Sequence, residues 1–265
     1  MNITEITSTG NPHIKSVMAL ETKARARRDS SSFTVEGSRM FFETPAELLR
    51  EVYVTDRFLE TERDRLEDLV AAADGVTVYR VSDQVMKAMA ATDTPQGVLG
   101  VVAMPHYELP DIIKGQPLIL ALDNIQDPGN LGTMIRTAEG AGASGILMSR
   151  DTVDIFNPKV VRATMGSLYR MPFVISEDLK ADIELLKGQG VIFYAAHLAG
   201  QKAYDREDYR SACGILIGNE GNGLKEEIAD LADIRIRIPM AGQLESLNAA
   251  MAAGILMYEA ARQRR

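Results

Sequence analysis

Cysteine is almost absent from this 265-residue chain: Cys213 is the only one. No disulfide framework can form within it, so a reducing compartment is expected. Histidine is scarce too, and three scattered histidines with one cysteine cannot assemble a His/Cys zinc site. No metal is expected. Apolar runs long enough to span a bilayer are missing, and the opening MNITEITSTGNPHIK lacks the apolar core of a signal peptide. The expectation is a soluble cytoplasmic protein with no membrane partner. Excess positive charge is missing as well: the formal net charge is −8. That counts against a surface that binds nucleic acid everywhere, while leaving room for a local basic patch. The familiar nucleotide and esterase signatures are also absent. There is no G-x-x-x-x-G-K-[ST] phosphate loop, no G-x-S-x-G elbow, and no G-x-G-x-x-G after the first strand of a βαβ unit. NAD binding, ATP hydrolysis and ester hydrolysis lose ground.

What is present is length enough for two domains and apolar content enough for two cores. The first hundred residues alternate helix and strand. Pro12 to Arg28 reads as a helix carrying Lys15, Lys23, Arg25, Arg27 and Arg28; SFTVEG follows as a short strand. A helix from Ser38 to Arg50, the strand EVYVT, a charged amphipathic helix from Arg57 to Ala73, the strand VTVYRV, a helix from Ser82 and the strand GVLGVVAM complete an α/β sandwich. Pro105 to Pro117, with three prolines and a glycine, reads as a linker, which divides the chain into domains 1–108 and 109–265. Beyond it, LILALDNI, GILMS, MPFVI, VIFYAAHL, CGILIGNE and IRIRIPM are strands, mostly without alternation. Burial on both faces, with helices between, is the pattern of a parallel sheet. A final helix from Leu247 to Arg264 is crowded with Ala, Gly and Met.

Ligands bind beyond the carboxyl ends of such strands, and three polar, glycine-containing loops follow strands there. The first, DNIQDPGNLG, is expected to lead into a helix starting at Thr133 and carrying Arg136; the others are GNEGNGLKEE and AGQLESLNAA. Each has a plain reading: Gly129 and Gly132 for a turn, Gly223 for a helix entry, Ser246 as a helix cap. Together they gather Asn130, Arg136, Glu220, Ser246 and Asn248, which supply a fixed cation, a carboxylate and several amide or hydroxyl groups. Arg136 is placed to meet an anion. Glu220 would repel a pyrophosphate.

The stretches NIQDPGNLGTMIRTAEGAGA, LIGNEGNGL and IPMAGQLESLNAAMAAGILMYEA resemble, in order, the three motifs of the SpoU/TrmH-type RNA ribose 2′-O-methyltransferases. NPHIKSVMALETKARARRDSSSFTVEG is similar to the start of an L30e-like substrate-binding domain. The resemblance implies an α/β fold: an L30e-like sandwich at residues 1–108, then a parallel-sheet SPOUT domain at 109–265 with a deep C-terminal trefoil knot. It implies S-adenosylmethionine as cofactor, with Gly218, Ile238 and Leu247 contacting it through backbone and Leu198, Gly200 and Met240 nearby. It implies a homodimer with the site close to the interface, and a catalytic set of Asn130, Arg136, Glu220, Ser246 and Asn248. Arg136 would be either the base or the organiser of phosphate and developing alkoxide; because guanidinium stays protonated, the second is favoured. Lys15, Lys23, Arg25, Arg27, Arg28 and Arg39 would form an RNA-binding stripe, the plain alternative being a solvated helix face. The implied substrate is RNA, 23S ribosomal RNA ahead of transfer RNA. A non-catalytic RNA-binding assembly factor on the same fold is the reading from another class, and a Rossmann oxidoreductase is disfavoured by its missing fingerprint.

Overall fold

Five short segments rich in β-branched and aromatic residues pair into the first sheet of the computed structural model, which describes residues 2–265. They are β1 (Ile3–Ile6), β2 (Ser32–Glu36), β3 (Leu49–Val54), β4 (Thr77–Val81) and β5 (Val98–Ala103), in the order β1-β4-β3-β5-β2. β4 runs parallel to β1 and β3, whereas β5 is antiparallel to β3 and β2. One face is packed by helix Pro12–Thr22 through Ile14, Val17 and Leu20, and by Val85, Met86 and Met89 of helix Asp83–Met89. This unit comprises the chain up to His106 together with Asp154–Tyr169. The later segment, expected inside the second domain, is held here by side chains. Asp154 accepts from the Arg27 guanidinium at 2.6 and 2.9 Å, Phe156 packs on Phe33, and the Tyr169 and Thr44 hydroxyls meet at 3.0 Å.

Local chemistry shifts several expected boundaries. The helix read from Pro12 to Arg28 is two helices, Pro12–Thr22 and Ala24–Ser30, because Lys23 between them is extended. The helix read from Ser38 to Arg50 ends at Phe42. Pro45 follows, unable to donate a helical hydrogen bond, and Leu49 already belongs to β3. The expected linker contains a short helix, Leu109–Ile112, closed by Glu108 and Asp111 in a reciprocal cap.

The second unit, Tyr107–Val153 with Arg170–Arg265, is built on a seven-stranded sheet. Its strands are β6 (Leu118–Leu122), β7 (Gly145–Ser149), β8 (Phe173–Ser176), β9 (Ile192–Ala196), β10 (Lys202–Ala203), β11 (Cys213–Ile217) and β12 (Ile234–Arg237). The order is β10-β12-β9-β11-β6-β7-β8 and every pairing is parallel. β6, β7 and β11 are buried at every residue, which accounts for their unbroken apolar sequences. One core gathers Ile119, Leu147, Phe193 and Leu216 under Leu179, Ile183 and Leu186 of helix Leu179–Gly188. After β12 the chain returns through residues 238–248 to the last helix, Ala249–Gln263. That helix packs on β6, β11 and helix Pro128–Ala141.

Candidate functional site: three loops at the strand-order reversal

β6 and β11 lie side by side, and strand order reverses around them: β7 and β8 extend the sheet past β6, β9 and β12 past β11. The loops after these two strands therefore emerge together at one edge, where open α/β sheets hold ligands. Three segments converge there.

The first begins with Asp123, 2% exposed, and Asn124 in left-handed conformation at φ 57°. Asp127 then caps the helix, its Oδ1 accepting from Asn130 N at 2.7 Å, with Pro128 at the first helical position. The helix is thus Pro128–Ala141, five residues earlier than the expected start at Thr133. The run of Asp, Pro, Gly and Asn is its cap and first turn rather than a loop.

The second segment follows β11. Asn219 and Gly223 exchange backbone hydrogen bonds of 3.0 and 2.9 Å, and Gly223 takes φ 70°. Asn219 Oδ1 accepts from Gly221 N and Asn222 N, both at 3.0 Å. This tight turn carries Glu220 to the first segment. The Glu220 carboxylate accepts from Gln126 N, Asp127 N and Asn130 Nδ2, each at 3.0 Å. Partial burial works to raise its pKa, but the Asn130 amide and the backbone donors outweigh it and hold the carboxyl below its ordinary value. Glu220 is therefore an anchored anion at neutral pH, a poor proton donor.

The third segment ends in Asn248, whose Oδ1 accepts from Ala250 N at 2.9 Å and Met251 N at 3.3 Å. Asn248, not Ser246, caps the last helix, which begins two residues later than expected. Its other end, Nδ2, donates to Asn130 Oδ1 at 2.9 Å. Glu220, Asn130 and Asn248 form one directional chain across the three segments.

Beside this chain lies a cavity of 640 Å³, within the range of small-molecule sites. Leu198, Gly218, Ile238, Met240 and Leu247 all line it, as do Glu220 and Ser246. Its other walls include Ala196, His197, Arg237 and Leu244, none of which sequence reasoning singled out. Ala196 and Arg237 end β9 and β12, His197 and Leu244 lie in the segments that follow, and adjacency of those strands is not written in local sequence. The lining is mostly apolar side chains and glycine-rich backbone, with Glu220, Glu245 and Arg237 as its charged groups. Carboxylates outnumber the cation, which suits an apolar, cationic small molecule better than a polyphosphate. Among the described residues no group of three His, Cys, Asp or Glu could hold a metal ion, and no helix is long and apolar enough to cross a membrane.

Two glycines sit where backbone approaches too closely for a side chain. A Cβ on Gly218 would stand 2.1 Å from Leu224 N and 2.2 Å from the Gly223 carbonyl carbon. The missing side chain lets the turn fold back on its own strand end. Gly200 is buried, with a would-be Cβ 2.6 Å from the Ile236 carbonyl carbon, and does not line the cavity.

Arg136 is exposed, does not line the cavity, and has no hydrogen-bond or ion-pair partner among the described residues. With Gly129, Thr133 and Gly140 it forms an exposed stripe at helical spacing. Within one chain the structure does not bring it to Glu220 and Asn130. In the first unit Lys15, Lys23, Arg25, Arg28 and Arg39 are exposed, Arg25 pairing loosely with Asp29 at 3.4 Å. Arg27 is 3% exposed and committed to Asp154 and the Leu20 carbonyl. It leaves the set of residues that can face RNA.

Comparison with known proteins adds relatives for both units. Residues 117–258 match the SpoU rRNA Methylase family, and residues 11–100 match the MRM3-like substrate binding domain. The chain is 32% identical over 254 residues to the 23S rRNA (guanosine(2553)-2′-O)-methyltransferase RlmP of Bacillus subtilis, covering 96% of this chain and 98% of that one. It is 33% identical to the 23S rRNA (guanosine-2′-O-)-methyltransferase RlmB of Ralstonia nicotianae, over 78% of this chain and 86% of the relative. Among solved structures, the AdoMet-bound rRNA methyltransferase from Sinorhizobium meliloti superimposes with a TM-score of 0.87 at 35% identity, covering 98% of each chain.

Proposed function

We propose that this chain, which belongs to the SpoU rRNA Methylase family, transfers the methyl group of S-adenosylmethionine to a ribose 2′-oxygen of 23S ribosomal RNA. The observation that carries this reading is the Glu220–Asn130–Asn248 chain standing beside a cavity lined by apolar groups and backbone. The AdoMet-bound relative and the rRNA 2′-O-methyltransferases of matching length support it.

S-adenosylmethionine supplies a methyl group on a sulfonium cation. Leu198, Gly218, Ile238, Met240 and Leu247 would hold it, and Glu220 gives that side of the cavity the matching charge. Asn130, oriented from both ends by Glu220 and Asn248, would position the target ribose. Ser246 lines the cavity and would contact cofactor or ribose. A hydroxyl becomes a competent nucleophile when its developing charge is stabilised. Arg136 would do this through the 2′-oxygen or the adjoining phosphate.

Arg136 stands outside its own chain's cavity, so we assign it to the partner's site in a homodimer. Met251 and Tyr258 of the last helix are 60% and 46% exposed. The Tyr258 hydroxyl lies 3.1 Å from where a Gly140 Cβ would be, so the Arg136 stripe continues into this apolar surface. A second copy of the chain would cover it. The return of the last helix across β6 and β11 supports the trefoil knot, and the first unit is the L30e-like RNA-binding part, using Lys15, Lys23, Arg25, Arg28 and Arg39.

Transfer of labelled methyl from S-adenosylmethionine to ribosomal RNA, with 2′-O-methyl mapping in cells with and without the gene, tests the reading. One lost 2′-O-methyl mark in 23S RNA is expected. A mark lost from transfer RNA would move the substrate, and binding without transfer would leave an assembly factor.

A further inference from the structure

Arg136 has no partner among the described residues, although a carboxylate lies one turn ahead of it. Glu139 is three residues on in the same helix, Pro128–Ala141. Residues so spaced are helix neighbours, with Cβ atoms roughly 5–6 Å apart, and opposite charges at this spacing attract. An ion pair between them would be the ordinary outcome. The structure shows why it does not form. Arg170, at the start of the segment before β8, takes Glu139 with two nitrogens: Nε donates to Oε1, and Nη2 to Oε2 at 3.4 Å. Both carboxylate oxygens are engaged. Planar two-point contact is the geometry in which guanidinium holds a carboxylate best.

We propose that Arg170 is a positioning residue for methyl transfer: by occupying Glu139 it keeps the Arg136 guanidinium unpaired and available to the RNA. The inference rests on the role assigned to Arg136 above. Glu139 belongs to the device because a free carboxylate there would both neutralise Arg136 and repel the incoming phosphate. Side chains of Arg170 and Glu139 are 47% and 29% exposed. Such a pair adds little to stability, so its effect should appear in the reaction and not in folding.

The test is a cycle on the full-length protein, read as single-turnover methylation of 23S RNA with S-adenosylmethionine saturating. Arg170→Ala should slow transfer by up to about twofold, as expected when Glu139 gains an ordinary helix pair with Arg136. Cofactor affinity and melting temperature should hold. Glu139→Gln should be near wild type, and Arg170→Ala with Glu139→Gln should recover the lost rate, since no carboxylate remains to capture Arg136. That reversal is the decisive sign. If the double variant stays as slow as Arg170→Ala, or Arg170→Ala is as fast as wild type, the inference is overturned. Arg136→Ala in the same assay separates the layers: a normal rate there overturns the role of Arg136 itself, whatever the cycle gives.

Discussion

Asn130 and Asn248, 118 residues apart in sequence, are joined by a hydrogen bond of 2.9 Å from Asn248 Nδ2 to Asn130 Oδ1. Both amides are held in one orientation. Glu220 accepts from Asn130 Nδ2, so Asn130 Oδ1 must face Asn248. Asn248 uses its own oxygen to cap the last helix, leaving only its NH₂ to donate. The C-terminal helix, the Gly218–Leu224 turn and the helix Pro128–Ala141 are thereby fixed to one another through three side chains.

Asn130→Asp should break this chain in a pH-dependent way. The new carboxylate would face the Glu220 carboxylate with no proton to share. Near neutral pH the variant should lose about 1–3 kcal/mol, the cost of an unmade hydrogen bond to a charged group. The sign follows from Glu220, whose folded pKa is depressed. Its contribution in wild type is full above the ordinary Glu value and fades as pH falls through the lower folded one. In Asn130→Asp, acidification protonates one carboxyl and restores a donor, so the gap to wild type should narrow toward pH 4. Melting temperatures across pH 4–8 check this, and a gap that widens on acidification would contradict it.

Gly218→Ala should fail by misfolding the turn. Its Cβ would meet Leu224 N at 2.1 Å, which only a backbone shift can relieve. Gly221 offers the control, since a Cβ there meets nothing nearer than Asn219 Oδ1 at 3.5 Å. Gly221→Ala should keep the wild-type melting temperature, while Gly218→Ala melts several degrees lower and binds cofactor weakly. A Gly218→Ala protein with normal melting but lost cofactor binding would mean that the glycine serves the ligand instead.

The first unit gives a paired prediction about two adjacent arginines. Arg28→Glu, at an exposed position, should leave folding intact and weaken RNA binding. It should also reduce the salt slope by about 0.9 for a phosphate that is no longer neutralised. Arg27→Glu should instead cost roughly 3–5 kcal/mol, because it leaves Asp154 facing a like charge in a buried setting. Urea titration and RNA binding at two salt concentrations separate them.

These neighbours also mark how far sequence carried. Lys15, Lys23, Arg25, Arg27, Arg28 and Arg39 look alike as letters, and only packing distinguishes Arg27: its partner Asp154 is 127 residues away. Strands announced themselves where burial is complete, as in LILAL, GILMS and CGILI. β1 and β10 did not, being four and two residues long at the sheet edges with little periodicity to read. The residues of the three loops were legible because Asn, Glu and Gly in those positions do little for a strand or a helix interior. Their wiring was not. That Glu220 takes donors from Gln126, Asp127 and Asn130, and that Asn248 joins Asn130, are facts of close approach between segments distant in sequence.

Arg136 supplies the prediction with the widest reach. Arg136→Ala should cost roughly two to four orders of magnitude in turnover, the scale of a lost preorganised stabiliser, with cofactor affinity near wild type. Arg136→Lys should recover little, because a point charge cannot reproduce a planar two-pronged contact. The location of the residue adds a sharper test. It does not line the cavity of its own chain, so an Arg136→Ala subunit still holds a sound cavity, and a Glu220→Ala subunit still holds a sound Arg136. If each active site takes its arginine from the partner, a mixed dimer of these two inactive variants contains one site with both parts intact. Co-expression with two different tags and purification of the mixed species should then return up to half the wild-type activity. If arginine and cavity act within one chain, every site in the mixed dimer lacks one part and activity stays at the level of the parents. Recovery would place the reaction across the interface; its absence, in a verified mixed dimer, would require Arg136 to reach Glu220 and Asn130 by a movement within a single chain.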